Sequence, residues 1–146
     1  MKKFTKKDIE NIIPHRGSML LIDEVRDLTP TSGTGIRRVQ SDEFWCAGHF
    51  PGKPIMPGVI QLESMAQTAC FVILKDLFDK TGNKGFGFFT NIDKCKFVKM
   101  VQPGDILELK VELAMQKLTM HKFRGQAFVK GELACEATFS AIMQLS

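Results

Sequence analysis

No tyrosine occurs among the 146 residues, and only three histidines do. Any role that a phenol fills elsewhere must fall to another side chain, and imidazole chemistry is confined to His15, His49 and His121. These three show no metal-ligand spacing. The four cysteines (Cys46, Cys70, Cys95, Cys135) are dispersed without a C-x-x-C pair, so neither a zinc site nor a redox motif is indicated. Three of them lie among apolar neighbours, where a reduced thiol behaves as a small hydrophobe, and a cytoplasmic location is expected. Ser64 and Cys70 lack a G-x-S-x-G context, so a nucleophilic triad is unsupported.

There is no run of five or more like charges, and a net charge of +4 is too small to argue for nucleic acid. It suits an acidic partner, and it equally describes an ordinary solvated surface. The basic start, Met1 to Asp8, lacks the apolar run of a secretory signal. The longest strongly apolar stretch, Ala69 to Leu74, is far short of a membrane span. Linkers, low-complexity segments and repeats are also absent, so one compact domain over residues 1–146 is expected.

Regular elements are present throughout. Thr5 followed by Asp8 is a capping signal, and Asp8 to Ile13 reads as a short helix stopped by Pro14. Met19 to Leu28 is mostly apolar and reads as a strand, Pro30 to Gly35 as a turn, and Ile36 to Val39 as the returning strand. Glycines and prolines crowd residues 48 to 56 into a constrained loop. Pro57 suits a first helical position. From Val59 to Phe78 apolar residues fall on every face of a helical wheel, the mark of a buried helix, which Gly82 to Gly85 breaks. Leu107, Leu109, Val111 and Leu113 alternate with charged residues, a strand with one wet face. Gln102 to Asp105 marks a turn, and Met120 to Lys130 and Leu133 to Met143 are long strands joined at Lys130-Gly131. One long helix with several antiparallel strands makes an α+β architecture, most economically a sheet wrapped around the helix.

Glu63 is the only charged residue between Lys53 and Lys75, and it falls early in the buried helix. Carboxylates are almost never buried unpaired, and one buried without a cation tends to hold its proton and act as a general acid. A structural glutamate on a partly wet stripe with Gln67 accounts for the same pattern. His49 stands in the proline-stiffened loop, placed either as a proton acceptor or simply hydrogen-bonded to backbone. Gly58, just after Pro57, leaves its N–H open at a helix amino terminus, where a carbonyl oxygen can approach; a plain helix start explains it too. A base, an acid and oriented N–H donors within fifteen residues outline a catalyst for proton abstraction beside a carbonyl.

The run Gly48-His49-Phe50-Pro51-Gly52-Lys53-Pro54-Ile55-Met56-Pro57-Gly58-Val59, continued by Leu62-Glu63-Ser64-Met65-Ala66-Gln67, closely resembles the signature of bacterial 3-hydroxyacyl-acyl-carrier-protein dehydratases of the hot-dog fold. Pro14-His15-Arg16 with Leu20-Leu21-Ile22-Asp23, Ile92-Asp93-Lys94 with Phe97, and Pro103-Gly104-Asp105 are similar to further segments of that family. The related dehydratase-isomerase branch carries aspartate where Glu63 stands, so the chain resembles the dehydratase-only branch.

The resemblance implies a hot-dog fold, a homodimer or trimer of dimers, and active sites at the dimer interface. It implies that His49 takes the C2 proton, Glu63 protonates the leaving hydroxyl, and the Gly58 N–H polarises the thioester carbonyl. Gln67 would orient Glu63 or a water, while Phe50 and Val59 would join the substrate-binding residues. No cofactor or metal is implied; the partner is acyl carrier protein bearing acyl-phosphopantetheine, in type II fatty acid biosynthesis. Gly17-Ser18-Met19 stands where the family commonly has Tyr-Pro-Phe, so a gate at the acyl tunnel falls to one of Phe86, Phe88 or Phe89. Lys53 stands where histidine is frequent. Lys94, Lys96 and Lys99, with Arg37 and Arg38, would form a basic rim for the acidic carrier, or a solvated strand edge. Rival readings are an acyl-thioester hydrolase on the same fold and an acyl-binding scaffold without chemistry.

Overall fold

Thr5 and Asp8 close a reciprocal capping box, with the Asp8 N–H donating to Thr5 Oγ1 at 3.3 Å and the Thr5 N–H donating to Asp8 Oδ2 at 2.8 Å. This box starts helix α1 at Lys6, and the helix ends at Glu10 with Asn11 as its C-cap, earlier at both ends than the span of 8–13 expected from Pro14. The computed structural model describes residues 2–146, with Met1 outside the described residues. Seven strands follow the chain as β1 (Lys3–Phe4), β2 (Glu24–Thr29), β3 (Ser32–Arg38), β4 (Gly85–Phe97), β5 (Ile106–Lys117), β6 (Met120–Val129) and β7 (Glu132–Leu145). They form one antiparallel sheet in the order β1-β2-β3-β5-β6-β7-β4. Helix α2 (Gly58–Thr81) lies against β3, β5, β7, β4, β6 and β2, so the sheet wraps around it in a hot-dog fold, as expected.

Period-two patterning accounts for β5, β6 and β7, whose inward residues Leu107, Leu109, Phe123, Ala127, Cys135 and Phe139 are fully buried. The β6–β7 hairpin turns at Lys130 and Gly131, both at positive φ (51° and 77°), as a primed two-residue turn requires. Phe123 and Phe139 stack at 5.7 Å on the inner face of the sheet, and both are fully buried, as is Phe71 of the helix, which packs on Phe4 at 5.3 Å. The helix ends where Gly82 takes a left-handed conformation (φ 73°) and returns its N–H to the Phe78 carbonyl at 2.7 Å. Pro57 is the residue before the helix, one position earlier than expected.

Two expectations need correction. Residues Pro30 to Gly35 are not one turn: the reversal takes only Pro30 and Thr31, and β3 already begins at Ser32. Its glycines mark close approach to the helix, since a Cβ on Gly33 would sit 3.0 Å from Val72 Cγ2 and one on Gly35 3.1 Å from Thr68 Cγ2. Nor is Met19 to Leu28 one strand. Gly17–Met19 is a single 3₁₀ turn, Leu20 to Ile22 are buried outside any strand, and pairing starts at Asp23, whose N–H bonds the Ile36 carbonyl at 2.7 Å. Strand β4 holds Lys94 and Lys96, for which a solvated strand edge is one of the two expectations, but its full span has no period in the sequence. It forms the sheet's outer edge, paired on one side with β7, and its register shifts at Phe89/Asn91 and Ile92/Lys94 break the alternation.

Candidate active site

The loop before α2 is stiffened by reciprocal bonds around His49. The His49 N–H donates to the Trp45 carbonyl (2.9 Å), the Ile55 N–H donates to the His49 carbonyl (2.7 Å), and His49 Nδ1 lies 2.7 Å from the Ile55 carbonyl. A carbonyl oxygen only accepts, so Nδ1 carries the hydrogen and Nε2 is left with its lone pair. Phe50 stacks on the ring at 4.1 Å. The Met56 N–H donates to the Val101 carbonyl at 2.7 Å, tying the loop to the segment after β4. His49, Gly58, Val59 and Gln61 line one cleft together with Phe97 to Met100. No side chain caps the first turn of α2; the Ile60 and Gln61 N–H groups donate to the Pro57 carbonyl (2.9 and 3.4 Å), which leaves those of Gly58 and Val59, both lining that cleft, for a ligand. Phe97 packs so closely on Gly58 that a Cβ there would lie 2.7 Å from Phe97 Cε1. Gln61 is buried with its Oε1 unpaired, a feature that sequence reasoning passed over.

One turn along the same stripe of α2, Glu63 borders a second, small cavity of ≈ 30 Å³ with His15, Ala66, Gln67, Cys70, Gly87, Phe88 and Phe89. Of the two placements open to this carboxyl, sealed in the core or on a partly wet stripe with Gln67, the structure shows the second: its side chain keeps 26% exposure. Gln67 holds it: Nε2 donates to Glu63 Oε2 at 2.9 Å and to the Met19 carbonyl at 2.7 Å, while Oε1 accepts the Leu21 N–H at 2.8 Å. His15 Nε2 lies 3.8 Å from Glu63 Oε2. Burial above all, with the Arg16 cation assisting, pushes the His15 imidazole below its usual pKa, and the Glu63 charge only partly offsets this. Burial, reinforced by Glu63, pushes the Cys70 thiol up to about 12, so it is inert here. Of the three phenylalanines considered as a gate, Phe88 and Phe89 line this cavity, and Phe86 stacks on Phe88 at 6.2 Å. His49 and Glu63 therefore border separate cavities of one chain.

Residues 13–138 match the FabA-like domain. This chain belongs to the FabA-like family. A protein of Jannaschia sp. (strain CCS1) named 3-hydroxyacyl-[acyl-carrier-protein] dehydratase FabZ is 47% identical over 142 residues, covering 94% of this chain and 86% of its own length. One of the same name from Alkaliphilus metalliredigens (strain QYMF) is 42% identical over 135 residues, covering 91% and 89%. Among solved structures, the dehydratase heterocomplex ApeI:P from Xenorhabdus doucetiae superposes with a TM-score of 0.75 at 17% identity, covering 93% of this chain and 90% of that one. A hypothetical thioesterase with coenzyme A from Streptococcus pneumoniae TIGR4 gives 0.62 at 15% identity, covering 84% and 85%. At such identities these two likenesses speak to the fold alone.

The resemblance read from the Gly48 to Gln67 run therefore led to the right family. In this FabA-like chain the basic residues expected to form a rim are not gathered. Arg37 is buried, its Nη2 on Glu43 at 2.8 Å and its Nη1 on Asp23 at 3.3 Å, and Arg38 pairs with Glu24 at 3.0 Å. Glu43 also accepts from Trp45 Nε1 at 3.2 Å and from the Gln40 N–H at 2.7 Å, so the Arg37 triad anchors the loop that leads to His49. Lys94 and Lys96 point into a groove on the sheet's outer face, whereas Lys99 borders the His49 cleft and pairs with Glu132 at 2.8 Å. Among the described residues, no group of three or more His, Cys, Asp or Glu is placed to hold a metal ion, and no helix is long and apolar enough to cross a membrane.

Proposed function

We propose that this chain dehydrates (3R)-hydroxyacyl thioesters on acyl carrier protein to trans-2-enoyl thioesters in type II fatty acid biosynthesis, with His49 as general base and Glu63 as general acid. The observation that carries the reading is the His49–Ile55 clamp: Nδ1 is committed to a backbone carbonyl, so Nε2 is a fixed proton acceptor beside an uncapped helix start. His49 Nε2 takes a proton from C2, the C2–C3 double bond forms, and the C3–O bond breaks. Glu63 gives its proton to the departing hydroxyl, which leaves as water. The Gly58 N–H, with no side chain to hold ligands away, stabilises the negative charge that develops on the thioester oxygen. Gln67 orients Glu63, and Phe50 and Val59 flank the acyl-pantetheine path on either side of His49 and Gly58.

Since His49 and Glu63 border different cavities of one chain, the full site is assembled by two copies. Strand β4 supports this arrangement: one of its edges is unpaired, and Phe88, Ile92, Phe97, Val98 and Met100 on and after it are exposed. Pairing along β4 makes the homodimer, three of which make a trimer of dimers in the cytoplasm. Lys99 is the residue of the expected basic rim that borders the cleft, and it meets the acidic carrier by exchanging its surface pairing with Glu132.

The test follows enoyl thioester formation by ultraviolet absorbance on carrier-linked 3-hydroxyacyl substrates, with release of free thiol measured alongside. His49→Ala and Glu63→Gln are expected to lose about 10²–10⁴-fold in rate while remaining folded and assembled. Near-normal rates in both variants refute the assignment, and thiol release without enoyl product moves it to a thioester hydrolase.

A further inference from the structure

Glu63 can serve as an acid only if its proton sits on the oxygen that faces the substrate, and the surroundings of its two oxygens differ. Gln67 decides one of them. Its Oε1 must be the end that accepts the Leu21 N–H, so its NH₂ end faces Met19 O and Glu63 Oε2, and Oε2 is committed as an acceptor. His15 Nε2 lies 3.8 Å from the same oxygen. Its second nitrogen, Nδ1, is buried with no partner. A buried N–H without an acceptor is costlier than a buried lone pair without a donor, so the hydrogen belongs on Nε2, the nitrogen nearer Oε2. Arg16 fixes the ring's backbone by donating to the carbonyls of Glu10 (2.6 Å), Ile13 (2.8 Å) and His15 itself (2.7 Å).

We infer that His15 is a positioning residue for Glu63: as the neutral Nε2–H tautomer it joins Gln67 in making Oε2 an acceptor only, which places the acidic proton on Oε1. This rests on the reading of Glu63 as the general acid. The charged groups facing the ring are Glu63 from α2 and Arg16 from its own loop, and the depressed basicity of the imidazole agrees with its staying uncharged near neutral pH. A protonated His15 would stabilise the carboxylate and make Glu63 a poor proton donor.

The experiment combines ¹⁵N-histidine NMR of the wild-type protein with steady-state kinetics of His15→Phe, His15→Gln and Glu63→Gln. At about neutral pH the NMR signals of His15 should show a pyrrole-type Nε2 and a pyridine-type Nδ1. His15→Phe should lower kcat about tenfold and leave KM within about twofold, and His15→Gln, which keeps an N–H donor, should recover most of the loss. An imidazolium or Nδ1–H signal, an unimpaired His15→Phe, or equal losses in the Phe and Gln variants overturns the inference. Full activity of Glu63→Gln instead overturns the proposed function, and the tautomer measured in the wild type still tests His15 separately.

Discussion

Gly35→Ala probes the contact that sets how closely the sheet approaches the helix. The new Cβ would meet Thr68 Cγ2 at 3.1 Å and Thr68 Cβ at 3.2 Å, with Oγ1 closer still, where ordinary contact begins at 3.4 Å. Thr68 is fully buried, and its hydroxyl donates to the Ser64 carbonyl at 2.9 Å. Two responses are open. Rotating the threonine surrenders that hydrogen bond in a dry site, at about 1–3 kcal/mol. Pushing β3 away from α2 overpacks the interface, again at about 1–3 kcal/mol. Either way the loss is about 1–3 kcal/mol, which for a chain of this size lowers Tm by about 3–10 °C. Circular dichroism melts of Gly35→Ala, Thr68→Ala and the double variant measure it. Thr68→Ala removes Oγ1 and Cγ2, the two nearest colliding atoms, and leaves only the Cβ, so the double variant should be more stable than the sum of the single losses implies. Strict additivity, or a Gly35→Ala melt equal to wild type, would refute the reasoning.

Three further outcomes follow from the geometry. Gly58→Ala drives a Cβ into the Phe97 ring, which is 51% exposed and free to swing into the cleft; activity should fall by about tenfold or more with little change in Tm, checked by the enoyl assay beside thermal melts. Arg37→Met strands Asp23 and Glu43 and should cost about 3 kcal/mol or more by urea unfolding, with weakened order at the His49 loop seen by hydrogen exchange. His15 and His121 are both held below the ordinary value of 6.5, first by burial, so the fold favours their neutral forms. The unfolded chain then binds more protons below that value: stability is complete above pH 6.5 and drains away as the pH falls toward the folded-state values. A urea midpoint that does not drop between about pH 7.5 and about pH 5.5 contradicts this.

Where local pattern and burial agree, the sequence alone was sufficient. The all-round apolar stretch after Pro57-Gly58 had to be an enclosed helix, and the alternation of β5, β6 and β7 had to be a sheet with one wet side. Reading failed where the deciding neighbour is far away in the chain. Gly33 and Gly35 looked like turn residues because nothing nearby announces Val72 and Thr68 above them. Leu21 looked like strand because its N–H partner is a side chain 46 residues on. Strand β4 is legible only as one of two readings of Lys94 and Lys96, a solvated edge, because an edge with two register shifts and mostly exposed residues carries no period. At the site, His49, Gly58 and Glu63 were visible as anomalies of residue type in their surroundings. His15 was noticed only as part of a motif, since its meaning lies in a 3.8 Å approach to the helix. Arg37, assigned to a surface rim, proved to be an internal brace.

The glycines under α2 have a further consequence. Gly33 and Gly35 on β3, Gly125 on β6 and Gly87 on β4 all lie where a methyl group would strike the helix or a sulfur beside it, namely Val72, Thr68, Met65, Met143 and Cys70. The gap between the two layers is thus already at its minimum on three strands. A longer guest in the cavity beside Glu63 cannot be gained by thinning the floor, which has nothing left to remove. Space has to be released by trimming Met143, Cys70 or Phe89, and any widened-substrate variant should carry its substitutions there.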